Sequence, residues 1–141
     1  MKKKFVVIIS LCLLFFAGCE NPNSTQITTT DKMRLQITDI PSKYDGSLVN
    51  ITILDDEDNK VAYCGGNFEN GSVTTTYVTD ESNNYWVGDL SKSYKVSLDF
   101  LYDDGPDTIG FYYVDAVLSN ILTCGSGTIT ISASGTTYNE R

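Results

Sequence analysis

The residues of this chain with the widest chemical reach are its four cysteines, Cys12, Cys19, Cys64 and Cys124, and a surplus of carboxylates; histidine is absent altogether. Without an imidazole, a Ser, Cys or Thr nucleophile has no His base, and His-ligated metal centres are excluded. Gly65 and Gly66 lack the Lys and Ser/Thr that complete a phosphate-cradling loop. Acidic residues crowd two places, Asp55 to Asn59 and Asp103 to Asp107. Calcium takes about six to eight oxygen ligands. Asp55, Glu57 and Asn59, and separately Asp103, Asp104 and Asp107, are therefore candidate calcium ligands, although neither run follows an EF-hand spacing. The competing reading is a polar hairpin turn, where Asp and Asn are favoured for their local hydrogen bonding. No other cofactor is expected. A glycosidase-like acid and base pair would need two carboxyls a few ångströms apart, which spacing in sequence does not report. Tyr85 with Trp86, Tyr112 with Tyr113, and Tyr63 are the candidate binding aromatics, Trp86 and Tyr85 foremost, because such rings stack on sugars and anchor protein contacts. Adjacent aromatics on a strand point to opposite faces, so one of each pair belongs to the core.

The setting of Cys19 separates it from the others. Lys2 to Lys4 precede the run Phe5 to Ala17, which is apolar except for Ser10. Crossing a bilayer takes about 20 residues of helix, so this run is too short to span and fits the apolar region of a cleaved signal peptide. Phe16, Ala17, Gly18 and Cys19 resemble the lipobox of bacterial lipoproteins, with Phe16 where the family usually has Leu. The resemblance implies a diacylglyceryl group on Cys19 and cleavage after Gly18. Two or three acyl chains then anchor durably where one would not. Glu20 stands where many such proteins carry an inner-membrane retention Asp, which points to the outer membrane of a bacterial envelope.

Loss of residues 1–18 would remove Lys2, Lys3 and Lys4 and move the formal charge from −8 to −11. Such a surface repels phosphate backbones, so no nucleic-acid partner is expected. Cys12 would leave with the signal peptide and Cys19 would carry lipid. Cys64 and Cys124 remain, in a compartment that permits disulfides, and a bridge between them is expected in preference to two buried thiols.

Residues 19–31 form the lipidated N-terminus and a tether, polar throughout except for Ile27. Residues 32–141 form one domain in which period two dominates: Met33, Leu35, Ile37; Val49, Ile51, Ile53; Val73, Thr75, Tyr77; Tyr94, Val96, Leu98, Phe100, Tyr102; Ile129, Ile131, Ala133. Turn signals separate these runs, notably Asn70 with Gly71. About seven short strands so spaced predict an all-β, immunoglobulin-like β-sandwich. Val114, Val117, Leu118, Ile121 and Leu122 recur at helical offsets and predict one short helix near 115–123, with strand followed by an irregular crossing as the alternative.

Leu90 followed four residues later by Tyr94 resembles the tyrosine corner of fibronectin type III domains, which implies a phenol bonded to nearby backbone. Leu35, Ile37, Ile40, Pro41, Tyr44 and Gly46, then Asn70 to Val73, look like a small β-rich repeat of spirochaetal lipoproteins. Those domains carry no assigned function, so the resemblance confers no site residues. The expectation is a lipid-anchored envelope module without catalysis, bound to the membrane by its acyl chains and contacting an envelope or host protein through loops or a sheet edge. A carbohydrate-binding module using exposed Tyr and Trp is the alternative, and a carboxylate-based hydrolase the remotest one.

Overall fold

The computed structural model describes residues 31–103, 105 and 110–141. The expected signal peptide, Cys19, nearly all of the expected tether, Asp104 and Asp107 lie outside the described residues. Among the described residues nine strands are formed, against about seven expected from the spacing, with one short 3-10 turn at Ser42–Tyr44. They are β1 (Met33–Thr38), β2 (Leu48–Leu54), β3 (Lys60–Glu69), β4 (Ser72–Thr74), β5 (Ser93–Asp103), β6 (Phe111–Val117), β7 (Leu122–Thr123), β8 (Gly127–Ser132) and β9 (Asn139–Glu140). The ladder runs β8-β1-β4-β3-β2-β5-β6-β9, with β7 added to β5. All pairings are antiparallel except β1 with β8, which run parallel over six register pairs.

Strand parity makes this ladder a sandwich-like body. Met33, Leu35 and Ile37 of β1, Val49, Ile51 and Ile53 of β2, and Tyr94, Val96, Leu98, Phe100 and Tyr102 of β5 are all buried in one core. Each inward face needs a second layer to cover it. The cover comes from β3, which pairs with β2 as far as Asn67 and then with β4 through Phe68 and Glu69. At this corner Gly66 lies so close to β4 that a Cβ there would overlap Val73 Cγ2. Only glycine allows the approach.

Turn chemistry follows the residues closely. Asn70 and Gly71 both have positive φ, 53° and 72°, as a two-residue type I′ hairpin turn requires. Asp55 to Asn59 and Asp80 to Asn84 adopt one shared form. In each, the first Asp accepts the backbone N–H groups two and four residues on, and the fourth residue, Asp58 or Asn83, is left-handed. This is the three-residue loop closed by a left-handed residue, stabilised here by the Asp side chain.

The expected helix near 115–123 is replaced by strand and turn. Val114, Ala116 and Leu118 are buried while Val117 is half exposed, so period two continues through β6. The chain then turns before Leu122 is buried again in β7. Val114, Leu118 and Leu122 are four apart, an interval that places residues on one face in a strand as well as in a helix.

A second departure is at Thr75. Burial alternates as expected through Val73 and Thr75, then shifts phase, leaving Val78 buried and Tyr77 out. Beyond β4 the segment divides its backbone bonds: Thr75 and Val78 donate to Leu35 and Met33 of β1, and Thr76 donates to Gly65 of β3. The skipped bond is supplied by a side chain, since Leu35 N–H donates to Thr75 Oγ1 at 2.9 Å and that hydroxyl donates to Thr76 O at 2.7 Å. Thr75 is the buried polar side chain among the described residues. Thr75→Val should therefore destabilise the domain by about 1–3 kcal/mol in denaturant unfolding, because it orphans a buried N–H, while Thr75→Ser should cost less.

Candidate interaction surface

The outward faces of β2, β5 and β6 carry the largest departure from an ordinary solvated sheet. Leu101 stands directly opposite Tyr113, and Leu48 continues that row one step beyond the Val49 to Phe100 pair. Phe111 lies in the next row, opposite Asp103. Leu48 is 77% exposed, Phe111 75%, Leu101 57% and Tyr113 41%. Together they line the floor of an open groove of about 690 Å³, whose wall is the 3-10 turn and the residues after it, Lys43 and Asp45 to Ser47.

That wall is held from beneath by aromatic contacts. Tyr44 is buried at the 3-10 turn and meets Phe100, Tyr102 and Tyr138 at centroid distances of 4.9, 5.1 and 5.2 Å. Its phenol donates to Glu140 Oε1 at 2.6 Å, and Lys43 pairs with the same carboxylate. Burial first, and then this hydrogen bond, push the Tyr44 pKa well above 10. Lys43 and the phenol in turn hold Glu140 below the usual carboxyl range. Asp115 is depressed similarly by Arg141 and Asn139, so two ionic contacts fasten the last strand and the residue after it, one to the 3-10 turn and one to β6.

Comparison with known proteins returned no match: no family model fits the chain, nor does any curated protein or solved structure. The reading of the site therefore rests on its own geometry.

Of the aromatics singled out in the sequence, Trp86 is packed inward, edge-to-face on Tyr94 at 5.1 Å and beside Gly88. Its neighbour Tyr85 faces out, 41% exposed. Tyr85 meets Tyr77 at an interplanar angle of 77°, so the two rings present no common plane for a sugar. Both rings are covered by the chain's own cations: Lys32 lies over Tyr85 at 4.2 Å and Arg34 over Tyr77 at 4.0 Å. Tyr94 makes the backbone contact expected of it, accepting the Asp89 N–H at 3.1 Å, although Leu90 is exposed.

The acidic turn at Asp55 is occupied by its own bonds. Asp55 Oδ1 accepts from the N–H groups of Glu57 and Asn59, and the Asn59 amide donates to Asp55 Oδ2 and Glu57 Oε2. These donors, the Asn59 N–H foremost, lower the Asp55 pKa. Asp103 accepts from Gly105 N–H. No group of three or more Cys, Asp or Glu side chains is placed to hold a metal among the described residues.

Cys64 and Cys124 are separate buried thiols instead of the expected bridge. Cys64 stands opposite Ile51, which stands opposite Leu98; Cys124 follows Thr123, which stands opposite Ser93. Five residues of strand β5 separate these levels, about 16 Å at ~3.3 Å per residue, against a bridging limit of ~7 Å between Cα atoms. Burial pushes the Cys64 thiol up to about 11 and the Cys124 thiol to about 12.

Of the exposed row only Tyr113 was legible as a surface aromatic from the sequence, though a signal existed for the others. Leu101 sits at an outward position of an alternating strand, between inward Phe100 and Tyr102. Leu48, Phe111 and Tyr113 likewise occupy outward positions that alternation assigns to polar residues.

Two outcomes are expected. Cys64 and Cys124 should resist a thiol reagent at about pH 8 until denaturant is added, since almost no thiolate forms at such pKa values; a mass increase of about two units on reduction would instead reveal a bridge. A depressed carboxyl pKa contributes stability that is present above the unfolded value, 4.5 for Glu140, and lost as pH falls through the folded one. Glu140→Gln should therefore flatten the fall in stability between about pH 5 and pH 3, read as denaturation midpoints against pH.

Proposed function

We propose that this chain is an envelope lipoprotein, anchored through lipid on Cys19, whose sandwich serves as a non-catalytic docking module for another protein. The anchor rests on the apolar run and the Ala17, Gly18, Cys19 sequence. The docking role is carried by one observation: Leu48, Leu101, Phe111 and Tyr113 form a contiguous apolar surface on the outer face of three neighbouring strands, β2, β5 and β6. Exposed apolar residues scattered singly are ordinary, whereas a contiguous patch rimmed by polar groups marks an interaction site. A groove with Leu101 at its centre and the Phe111 and Tyr113 rings along its β6 side fits a protein partner, because such side chains bury large apolar area when a partner excludes water.

The rest of the surface is consistent with that division of labour. Its acidic turns close on themselves, and the Tyr77 and Tyr85 pair is masked by Lys32 and Arg34.

A photo-crosslinking residue at position 101, introduced in living cells, should yield a discrete adduct that the same residue at position 57 does not. Adducts of equal yield from both positions would count against the docking face. Cys19→Ser should abolish palmitate labelling and release the protein from the membrane fraction, which tests the anchor independently.

A further inference from the structure

We infer that the groove receives a polypeptide segment whose apolar side chains are flanked by lysine or arginine. This inference rests on the docking reading above and names the class of partner. On β5 the outward positions run Asp99, Leu101, Asp103, so the apolar row is bordered by a carboxylate on either side. These two are four residues apart, about 13 Å along the strand. Asp45, in the wall at the Leu48 end, is the third carboxylate.

None of the three forms an ion pair among the described residues, although Arg141, itself paired with Asp115, lies near enough to Asp99 to feel its charge. Asp99 accepts from the Tyr113 phenol at 2.6 Å, Asp103 from Gly105 N–H, and Asp45 from Gly71 N–H, all neutral donors. The cation of the wall, Lys43, is paired with Glu140, and the nearest carboxylate on β6, Asp115, is paired with Arg141. The groove thus combines an apolar floor with carboxylate borders that no ion pair among the described residues neutralises directly.

Each occupant meets those borders differently. An uncharged apolar segment would strip water from carboxylates and return no counter-charge. An acidic segment, or the same face of a second copy, would add like charge to like. A segment with cations spaced to either side of its apolar residues satisfies both floor and border, and the negative borders speed its approach.

The test uses the purified full chain and fluorescent short peptides, read by anisotropy: alternating Lys-Leu, alternating Glu-Leu, and alternating Lys-Ser. The Lys-Leu peptide should bind best and weaken as salt rises from about 50 to about 500 mM, where the screening length shrinks. Asp99→Asn with Asp103→Asn should weaken it roughly tenfold, as should Leu101→Ser, each tenfold step being about 1.4 kcal/mol. Asp56→Asn with Glu81→Gln removes the same charge from distant turns and should change little. Equal losses in the groove and control variants, or equal binding of the Lys-Ser peptide, would reduce the effect to bulk charge and overturn the inference. Preference for the Glu-Leu peptide, lost with Leu101→Ser, would overturn the partner class while leaving the docking face intact. A dimer in sedimentation that Leu101→Ser dissolves would assign the face to a second copy and overturn it likewise. Should no peptide respond to Leu101→Ser, the docking reading falls as well.

Discussion

In an extended strand each residue has only one alternative to facing the core, and that is to face the opposite way. The body of this protein is built on that constraint, since β1, β2, β5 and β6 all turn their alternate residues into one shared interior. A shift of one position would exchange every inward side chain for an outward one. The structure tolerates such a shift after Thr75, where a hydroxyl stands in for the ladder bond that the change of phase removes. Because parity is kept along β2, β5 and β6, Leu48, Leu101 and Tyr113 are outward by position and have no route to the core.

The same economy governs the acidic residues. Those at turns fold their oxygens onto nearby donors, Asp55 and Asp80 foremost onto backbone N–H groups and Asp89 onto the Ser91 hydroxyl and then its N–H, and their pKa values fall accordingly. Others, Glu140 and Asp115, fasten the last strand. The remainder that border the groove accept hydrogen bonds from neutral donors, with Arg141 acting on Asp99 from a distance and without an ion pair. A formal charge of −8 is thus divided among distinct jobs, and bulk acidity alone would not reveal which carboxylates face a partner.

Much of the fold was legible because period two is a short-range signal, and β1, β2, β5 and β8 follow it as read. The Asn70 and Gly71 turn was legible for the same reason, being set by two residues. The helix was misread because an interval of four is common to both periodicities. The bridge was misread because whether two cysteines meet depends on strand register, which composition and compartment do not encode. Trp86 lay inward because its neighbour Tyr85 took the outward position, a choice fixed by which face meets Tyr94 and Gly88. The groove was missed for a related reason: Leu48, Leu101 and Tyr113 come from three strands, and only lateral pairing sets them in one row.

The parallel pairing of β1 with β8 has a mechanical meaning. Tension entering the domain at residue 32 pulls along β1, at right angles to the general direction of its bonds with β8. Six register pairs then share the load in shear, so the strand must break them together instead of peeling away one bond at a time. The first strand of the domain is in this way the part best arranged to bear a pull.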